Sequence, residues 1–546
     1  MSPPLGHKHA PKAQKLLFIN KGVESGQLSR SGTPNEAFRI NSFVQNRRRR
    51  RESSRGHTST QSSPDNNESH SVAPNSMSPV EQIASEDMHA LIRDFDHHRS
   101  TMLMFSSVRP TNNTLDPFNA AVVPINAKTL QFLQYAFSTF SRRTFRAEAL
   151  PPQTKRAVNM TFRHDDFLRN RLERCIDDKM VMDSTLAVGV TCAGWTIERP
   201  DFEKPLELFL GRAINAVRTH LASSHTDSPT DRQWVILSVY SLSISTFWLA
   251  LARTRGADDL WTALSEHETV QSLDAAVLHL NVARNLIAEL GGPLKLEPYI
   301  LSSLILGDKY LAISRMQPPI LALDWDPGRV PQATFALVGD VPVSVGHLGT
   351  RLIRTLETHG SSASLRSVIL DISDYMRVSR SIWHKAGPDN NTEQWLFLRA
   401  QALFHRLLSL RDLALVEECI RSATVNFLLS FARYQGLAVS IKLVVPQLAE
   451  LVAALECSDI ANDPDVQGIM FWALCIAGVT SIVGEYTDGA VYLRLQAQAT
   501  IVGNVIGLAA ESSLKEHCDF LAEHLFLPDE QELELRRFLS IDIGTT

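Results

Sequence analysis

The sequence predicts an all-α protein, either a large irregular helical bundle or a two-lobed helical array, with a disordered N-terminal tail. Apolar residues recur mostly at the three-and-four spacing of amphipathic helices, and segments with strand-like alternation are scarce. The chain of 546 residues is longer than a usual single domain, and its 44% hydrophobic residues are enough for a sizeable core. Both observations favour a large helical body.

The tail is predicted over residues 1–80, and the helical domain over residues 81–546. Glu52 to Val80 is rich in Ser, Thr, Asn and Pro, and so it buries too little apolar area to offset the entropy of ordering. Pro318 to Gly346 contains five prolines and little periodicity. It predicts an irregular connection, with a lobe boundary near residues 318–346.

The clearest helix is predicted over Leu273 to Leu290, followed by a glycine C-cap at Gly291-Gly292 and by Pro293. Its apolar positions form one stripe: Ala276, Leu280, Ala283, Ile287 and Leu290. The other predicted helices are Lys128–Arg142, Asp166–Thr191, Leu206–Ser223, Asp231–Arg253, Leu348–His359, Arg366–Lys385, Glu393–Tyr434, Ile441–Cys457, Asp465–Gly484, Ala490–Leu508 and Glu511–Phe526.

Two uncharged segments, Trp234–Ala252 and Gln467–Gly484, have almost the length of a membrane span. The first contains several Ser and Thr residues, which are costly in lipid without partners, and the second contains glycines. We therefore predict buried central helices and no membrane contact.

Charge is distributed unevenly along the chain. Residues 1–57 contain 12 Lys and Arg against three Asp and Glu, a net charge of +9, whereas the rest contains 42 against 56, a net charge of −14. A basic tail on an acidic body suggests a polyanion, an acidic partner or an import receptor as the ligand of the tail. The body itself should not attract nucleic acid.

The cysteine pattern predicts buried free thiols in a reducing compartment. None of the six cysteines belongs to a CxxC pair, and their spacing suits neither a zinc site nor a secreted disulfide framework. The first thirty residues contain no apolar segment of the secretory type. We predict no metal and no cofactor.

Enzyme motifs are absent from the sequence: it has no GxGxxG after a strand, no phosphate-binding GxxxxGK[ST], no GxSxG and no HExxH. The acidic and histidine cluster at 94–98 is better explained as a solvated helix face than as a metal site, because adjacent residues on a helix point in different directions. The clusters at 164–166 and 517–519 have the same weakness as metal sites. His279 is predicted to be a hydrogen-bonded structural histidine. We therefore predict no catalytic residue.

The strongest local signal is the basic run Arg47, Arg48, Arg49, Arg50 and Arg51. Five guanidinium groups suit the acidic grooves of an import receptor, and they also suit the phosphates of DNA. A solvated tail without a ligand is the third interpretation. No heptad repeat follows the run, which argues against a bZIP-type basic helix, and a phosphate contact here would be largely blind to base sequence.

A series of short motifs follows the chain in a characteristic order. In the tail they are Phe18-Ile19-Asn20, the segment Arg39 to Val44 and the basic run, and after the linker comes Leu115-Asp116-Pro117-Phe118. Further along the body they are Ala276, His279 and Gly291-Gly292; Glu417-Glu418-Cys419-Ile420-Arg421; and Trp472, Leu474 and Gly478. In the order of these motifs, over roughly residues 15–520, the chain resembles the fungal-specific transcription-factor domain proteins, in particular the subgroup that lacks the N-terminal binuclear zinc cluster.

The resemblance implies an all-helical regulatory domain, a nuclear location and a role in transcription control, with no catalytic residues to transfer. The chain has no cysteine before Cys175, so the zinc cluster that contacts DNA in the broader family is missing. We therefore expect a non-catalytic transcription regulator whose tail binds an import receptor and contacts DNA weakly, if at all. Its body would bind a protein partner, a ligand or a second copy. The alternatives are a helical interaction scaffold without DNA binding, and an unrecognised enzyme with a pocket between lobes.

Overall fold

The computed structural model describes residues 121–123, 125–139, 163–197, 203–222, 228–253, 267–315, 317–328, 347–358, 362–385, 390–431, 437–484, 486–487, 489–508 and 512–540. Contacts divide the chain into residues 1–102 and 103–546, and every described residue lies in the second unit. The tail over residues 1–80, with its arginine run, and the domain boundary near residue 80 lie outside the described residues.

The described residues form sixteen α-helices, one short 3-10 helix and no β-strand, which confirms the predicted all-α class. The first seven helices are α1 (Ala127–Thr139), α2 (Arg163–Asp177), α3 (Lys179–Ile197), α4 (Glu203–Ala222), α5 (Pro229–Arg253), α6 (His267–Leu290) and α7 (Pro298–Arg315). The other nine are α8 (Thr350–Thr358), α9 (Ala363–Lys385), α10 (Asn390–Ser409), α11 (Leu415–Leu429), α12 (Leu437–Glu456), α13 (Pro464–Val483), α14 (Ala490–Val505), α15 (Leu514–Ala522) and α16 (Pro528–Leu539).

Helix α6 packs along α5 through the stripe that the sequence predicts. Ala276, Leu280, Ala283 and Ile287 are buried, and the Ala276 carbonyl accepts a 2.7 Å hydrogen bond from the Ser243 hydroxyl on α5. The helix begins six residues earlier than predicted and ends as predicted. Gly291 and Gly292 have φ angles of 101° and 103°, and the Gly292 amide donates to the Ile287 carbonyl, so the glycine C-cap is confirmed.

Helix α7 lies at the centre of the described body and was not predicted from the sequence. Every residue from Tyr299 to Ser314 is buried, and the helix contacts α5, α6, α10 and α12. A helix covered on all sides needs no polar face, so it lacks the amphipathic pattern by which helices are recognised. Its buried Lys309 lies over the rings of Tyr310 and Phe404, at 4.2 and 4.7 Å from their centroids.

Helix α13 is the buried helix of the C-terminal part, where it contacts α11, α12, α14 and α16. The Trp472 indole donates a 2.9 Å hydrogen bond to the Leu525 carbonyl, which ties α13 to the turn before α16. Helices α5 and α13 are long and apolar enough to cross a membrane, but 94% and 83% of their most apolar segments are buried inside the body. Burial inside the protein accounts for their composition.

Two segments that were each predicted as one helix form two helices in the structure. The segment Asp166–Thr191 breaks at Asp178, whose carboxylate accepts hydrogen bonds from the Met180 and Val181 amides and so starts α3. The segment Glu393–Tyr434 breaks between α10 and α11, where Asp412 has a φ angle of 55°. Side chains that bond to their own backbone compete with helix continuation, and apolar periodicity does not report this. Helix α16 was also missed.

The predicted irregular connection begins with residues 317–328, which contain no helix. Asp308 on α7 holds this segment, because its carboxylate accepts hydrogen bonds of 2.8 and 2.7 Å from the Ile320 and Leu321 amides. Residues 329–346 lie outside the described residues, and a lobe boundary near 318–346 stays a prediction.

Candidate functional site

The arginine run lies outside the described residues, and so does the cluster at 94–98. His164, Asp165 and Asp166 lie in the first turn of α2, and His517, Cys518 and Asp519 lie in α15. Within the described part of the chain, no group of three or more His, Cys, Asp or Glu side chains could hold a metal ion. A candidate site in the body therefore has to be built from other residues.

A concave site of about 550 Å³ lies between the start of α3 and one face of α4. Helix α3 contributes Lys179 and Met180, and Asp178 lies just before it. The α4 residues recur at spacings of three and one, which places them on a single face of that helix: Arg212, Asn215, Ala216, Thr219 and His220. We call this the α3/α4 site.

Asp178 holds the start of α3 at the edge of the α3/α4 site. Its carboxylate caps the helix and also forms an ion pair with Arg174 at 3.1 Å. Arg174 forms a second ion pair, with Asp231 on α5, at 3.0 Å. Lys179, Arg212 and His220 are the other cationic or titratable residues that line the cavity. Asn215 and Thr219 add hydrogen-bonding groups.

A buried carboxylate lies one helical turn after Lys179. Asp183 is fully buried, and neither of its carboxylate oxygens accepts a hydrogen bond from any described residue. Burial raises the pKa of Asp183 to about 6, and the charges of Arg212 and Lys179 oppose that rise. The same two cations therefore line the α3/α4 site and offset the charge of the carboxylate.

The α3/α4 site can bind an anionic group through charge and hydrogen bonds. It contains no hydroxyl or thiol in contact with a base among the described residues, as nucleophilic catalysis would require. Its only described hydroxyl, Thr219, donates to the Asn215 carbonyl of its own helix. This site was not predicted from the sequence, although Lys179 and Asp183 stand four residues apart in an otherwise apolar segment.

A second polar cluster joins the 317–328 segment to α9 and α10. Arg399 is buried and pairs with Asp326 at 2.9 Å and with Asp371 at 3.3 Å, and Arg406 also pairs with Asp371. His405 contacts the Leu321 carbonyl at 2.7 Å, and burial lowers its pKa. These charged groups bind one another and fix the segment, so they have a structural role.

A third cluster surrounds His524, after α15. The imidazole is fully buried, stacks on Trp472 at 5.9 Å and lies 5.1 Å from the Phe520 ring. Its Nε2 has no hydrogen-bond partner among the described residues, and burial lowers its pKa to about 3. A neutral imidazole held among aromatic rings is part of the core here.

The body motifs that carry the resemblance have structural contacts. Glu417 accepts hydrogen bonds from the Ser362 and Ala414 amides, and so caps both α9 and α11. Glu418 pairs with Arg421 within α11. His279 is half-buried near Arg218, and burial lowers its pKa, but it makes no hydrogen bond to any described residue, contrary to the predicted hydrogen-bonded histidine.

All six cysteines are free, and five of them are buried as predicted, whereas Cys457 is exposed, contrary to the prediction. Burial raises the pKa of the Cys175 thiol to about 11 and that of Cys419 to about 12. Both thiols stay protonated at neutral pH and are therefore poor nucleophiles.

Comparison with protein-family models, with curated proteins and with solved structures finds no match to this chain.

Proposed function

We propose that the protein is a non-catalytic regulator of transcription whose arginine run directs it to the nucleus. The observation that carries this proposal is the charge division of the sequence, with +9 in residues 1–57 and −14 in the rest. Nearly half of the tail's basic charge lies in five consecutive residues, Arg47 to Arg51. A compact set of guanidinium groups suits the acidic groove of an import receptor.

The contacts of the body support a role in binding. Its buried charged clusters hold helices and the 317–328 segment together, as Arg399 and Glu417 do. The α3/α4 site offers cations and hydrogen-bonding groups suited to an anionic ligand. The order of motifs that resembles fungal-specific transcription-factor domain proteins supports a regulatory role for such a body.

The import role is tested by replacing Arg47 to Arg51 with glutamine in a fluorescently tagged full chain. We expect nuclear accumulation to be lost, because neutral side chains cannot pair with an acidic groove. The matched control replaces five dispersed basic residues of the same tail, Lys8, Lys12, Lys15, Lys21 and Arg30, and so removes equal charge. Import that is lost equally in both variants, or retained in the first, would contradict a role for the run itself.

A role at promoters is tested by chromatin immunoprecipitation of the tagged chain. We expect promoter enrichment, either through weak phosphate contacts of the run or through a DNA-bound partner. The two routes differ in salt dependence, because each phosphate contact releases counterions and steepens the loss of affinity with salt. DNA binding by the purified chain should then weaken steeply with salt and be largely independent of base sequence.

A helical interaction scaffold without a DNA role is the second candidate. The negative charge of the body favours it, because a net charge of −14 repels phosphates, and no cysteine precedes Cys175. This candidate predicts no promoter enrichment, even when the protein is in the nucleus. The same immunoprecipitation therefore separates the two.

A further inference from the structure

Helix α14 carries an exposed apolar face. Leu493, Ile501 and Val505 are 62%, 63% and 60% exposed, and Ala497 between them is also exposed. The four residues are spaced by four, so they form one ridge along the helix, which we call the α14 ridge. The opposite face of α14 is buried against its neighbours, chiefly α13, through Tyr492, Leu495, Ala499, Val502 and Gly503.

The α14 ridge is large for an isolated surface feature. Three branched side chains exposed to this extent present on the order of 300 Å² of apolar area. A standard protein interface buries about 800 Å² per partner, slightly more than half of it apolar. With the aliphatic parts of Arg494 and Gln498 beside it, the α14 ridge supplies most of the apolar area that one partner of a dimer needs.

We infer that the α14 ridge is the interface of a homodimer in which two α14 helices pack antiparallel about a two-fold axis. An axis midway between Ala497 and Ile501 places Ile501 against Ala497 of the second copy. It also places Leu493 against Val505 of the second copy. Each large side chain at the centre therefore meets a small one, and the same patch serves both copies, as a two-fold interface requires.

The charge of α14 also fits an antiparallel pair. Arg494 is the only charged residue of the helix and lies near its N-terminal end, where the helix dipole is positive. Antiparallel packing brings Arg494 to the last turn of the second copy, where exposed carbonyl groups are negative. The two Arg494 residues lie on opposite ends of the contact, about 15 Å apart along the helix axis, and so they do not repel strongly.

The side chains that flank the α14 ridge are compatible with the same contact. Gln498 lies on the side of Arg494, and Thr500 and Asn504 lie on the other side, so the flanking residues of α14 itself are polar and, apart from Arg494, uncharged. Arg494 pairs with Glu450 at 3.1 Å and Gln498 with Glu456 at 3.3 Å, both on α12. These contacts hold the rim side chains beside the ridge, which reduces the entropy they lose on association.

The second copy of the chain is the protein partner that the proposed function leaves open, and the inference rests on the proposed function only for that role. Loss of import in the arginine variants would leave the mass of the purified protein unchanged. A monomeric protein that still entered the nucleus would overturn the dimer alone.

The mass of the full chain in solution is the first test. At about 10 μM, light scattering after size exclusion should give twice the chain mass of 60.8 kDa. Ile501→Glu should weaken dimerisation by about thirtyfold or more, the effect of a central interface residue, because it places a charge in the apolar contact. The matched control is Leu278→Glu on α6, an equally exposed leucine at 63%, which should leave the mass unchanged.

A wild-type chain that stays monomeric would overturn the inference, even if the ridge captured some other protein. A dimer that persists in Ile501→Glu would move the interface elsewhere and would overturn it too. Circular dichroism of each variant confirms that the helical fold is retained, as expected for substitutions on an exposed face.

The antiparallel register is tested by cross-linking. In a Cys457→Ser background, which removes the exposed native thiol, we mix Ala497→Cys copies with Ile501→Cys copies and add a short bismaleimide. The mixture should cross-link faster than either variant alone, because these two positions face each other across the axis. Equal rates in all three samples would contradict the register, and Leu278→Cys serves as the control for random collision.

Discussion

Gly478 on α13 faces the ring of Phe538 on α16 at a distance that no side chain could occupy. A Cβ atom at position 478 would lie 2.2 Å from the nearest ring atom. Gly478→Ala should therefore destabilise the protein by about 1–3 kcal/mol, the usual cost of overpacking a core. Urea unfolding followed by circular dichroism measures the change.

Gly211→Ala is the control for Gly478→Ala. Gly211 lies inside α4, and a Cβ atom there would meet nothing within 4 Å. Alanine should stabilise the helix at this position by about 0.5–1 kcal/mol, because it loses less backbone entropy than glycine. If both variants were destabilised alike, the contact with Phe538 would not explain the first result.

The carboxylate of Asp183 makes the stability of the body depend on pH. Burial raises its pKa to about 6, so the protonated form is favoured in the folded state. This contribution to stability is present below the pKa of the unfolded chain, and it is lost as pH rises through about 6. Asp183→Asn should gain about 2 kcal/mol relative to wild type between about pH 4 and pH 8, as measured by urea unfolding at several pH values.

Asp459→Asn removes a surface carboxylate and is the control for Asp183→Asn. It should show no comparable gain with rising pH. A flat difference between Asp183→Asn and wild type across this range would mean that Asp183 is charged in the folded state and offset by Arg212 and Lys179.

Some residue-level features could be predicted from the sequence, and others could not. The buried stripe of α6 and its two glycines follow from periodicity and from the need for positive φ angles at a helix end. For Asp183, by contrast, the only local signal is its spacing from Lys179 in an apolar segment, and its lack of hydrogen-bond partners depends on what α4 places opposite it. The same holds for Gly478, whose role depends on Phe538, sixty residues later in the chain.

At the scale of elements, Asp308 is the link between α7 and the segment 317–328. Asp308→Ala leaves the Ile320 and Leu321 amides without their acceptor, which should cost about 2 kcal/mol or more. We expect faster proteolytic cleavage within residues 317–328, measured by mass spectrometry of limited digests. Asp324→Ala, an exposed carboxylate of the same segment, should leave the cleavage rate unchanged.

Helices with one polar face, such as α6, α9 and α12, were predictable from periodicity, but α16 also has a polar face and was not predicted. The other differences have two physical causes. Helix α7 is buried on all sides and therefore shows no amphipathic pattern, and the breaks at Asp178 and before α11 depend on backbone contacts rather than on periodicity. The candidate α3/α4 site was missed for a related reason, because its cations come from separate helices that only the fold brings together.

At the scale of the whole body, α7 connects the helices before and after the irregular connection. It contacts α5 and α6, which precede it in the sequence, and α10 and α12, which follow the irregular connection. The buried hydrophobic residues from Val123 to Phe538 belong to one continuous cluster. Two lobes that share a buried helix are expected to unfold together, because the helix would expose apolar area if either lobe were lost.

The role of α7 as a helix shared by both lobes is tested by cutting the chain. A specific protease site inserted within residues 329–346 gives two fragments, of which the first ends after α7. We expect the fragments to elute together in size exclusion and to separate only in denaturant, because α7 is buried against α10 and α12 of the second fragment. The ion pair between Arg399 of the second fragment and Asp326 of the first, 2.9 Å in the intact chain, should also help to hold the fragments together. Separation of the fragments in plain buffer would instead mean that the helices on each side of the cut form independent lobes, and that the contacts of α7 with α10 and α12 contribute little free energy.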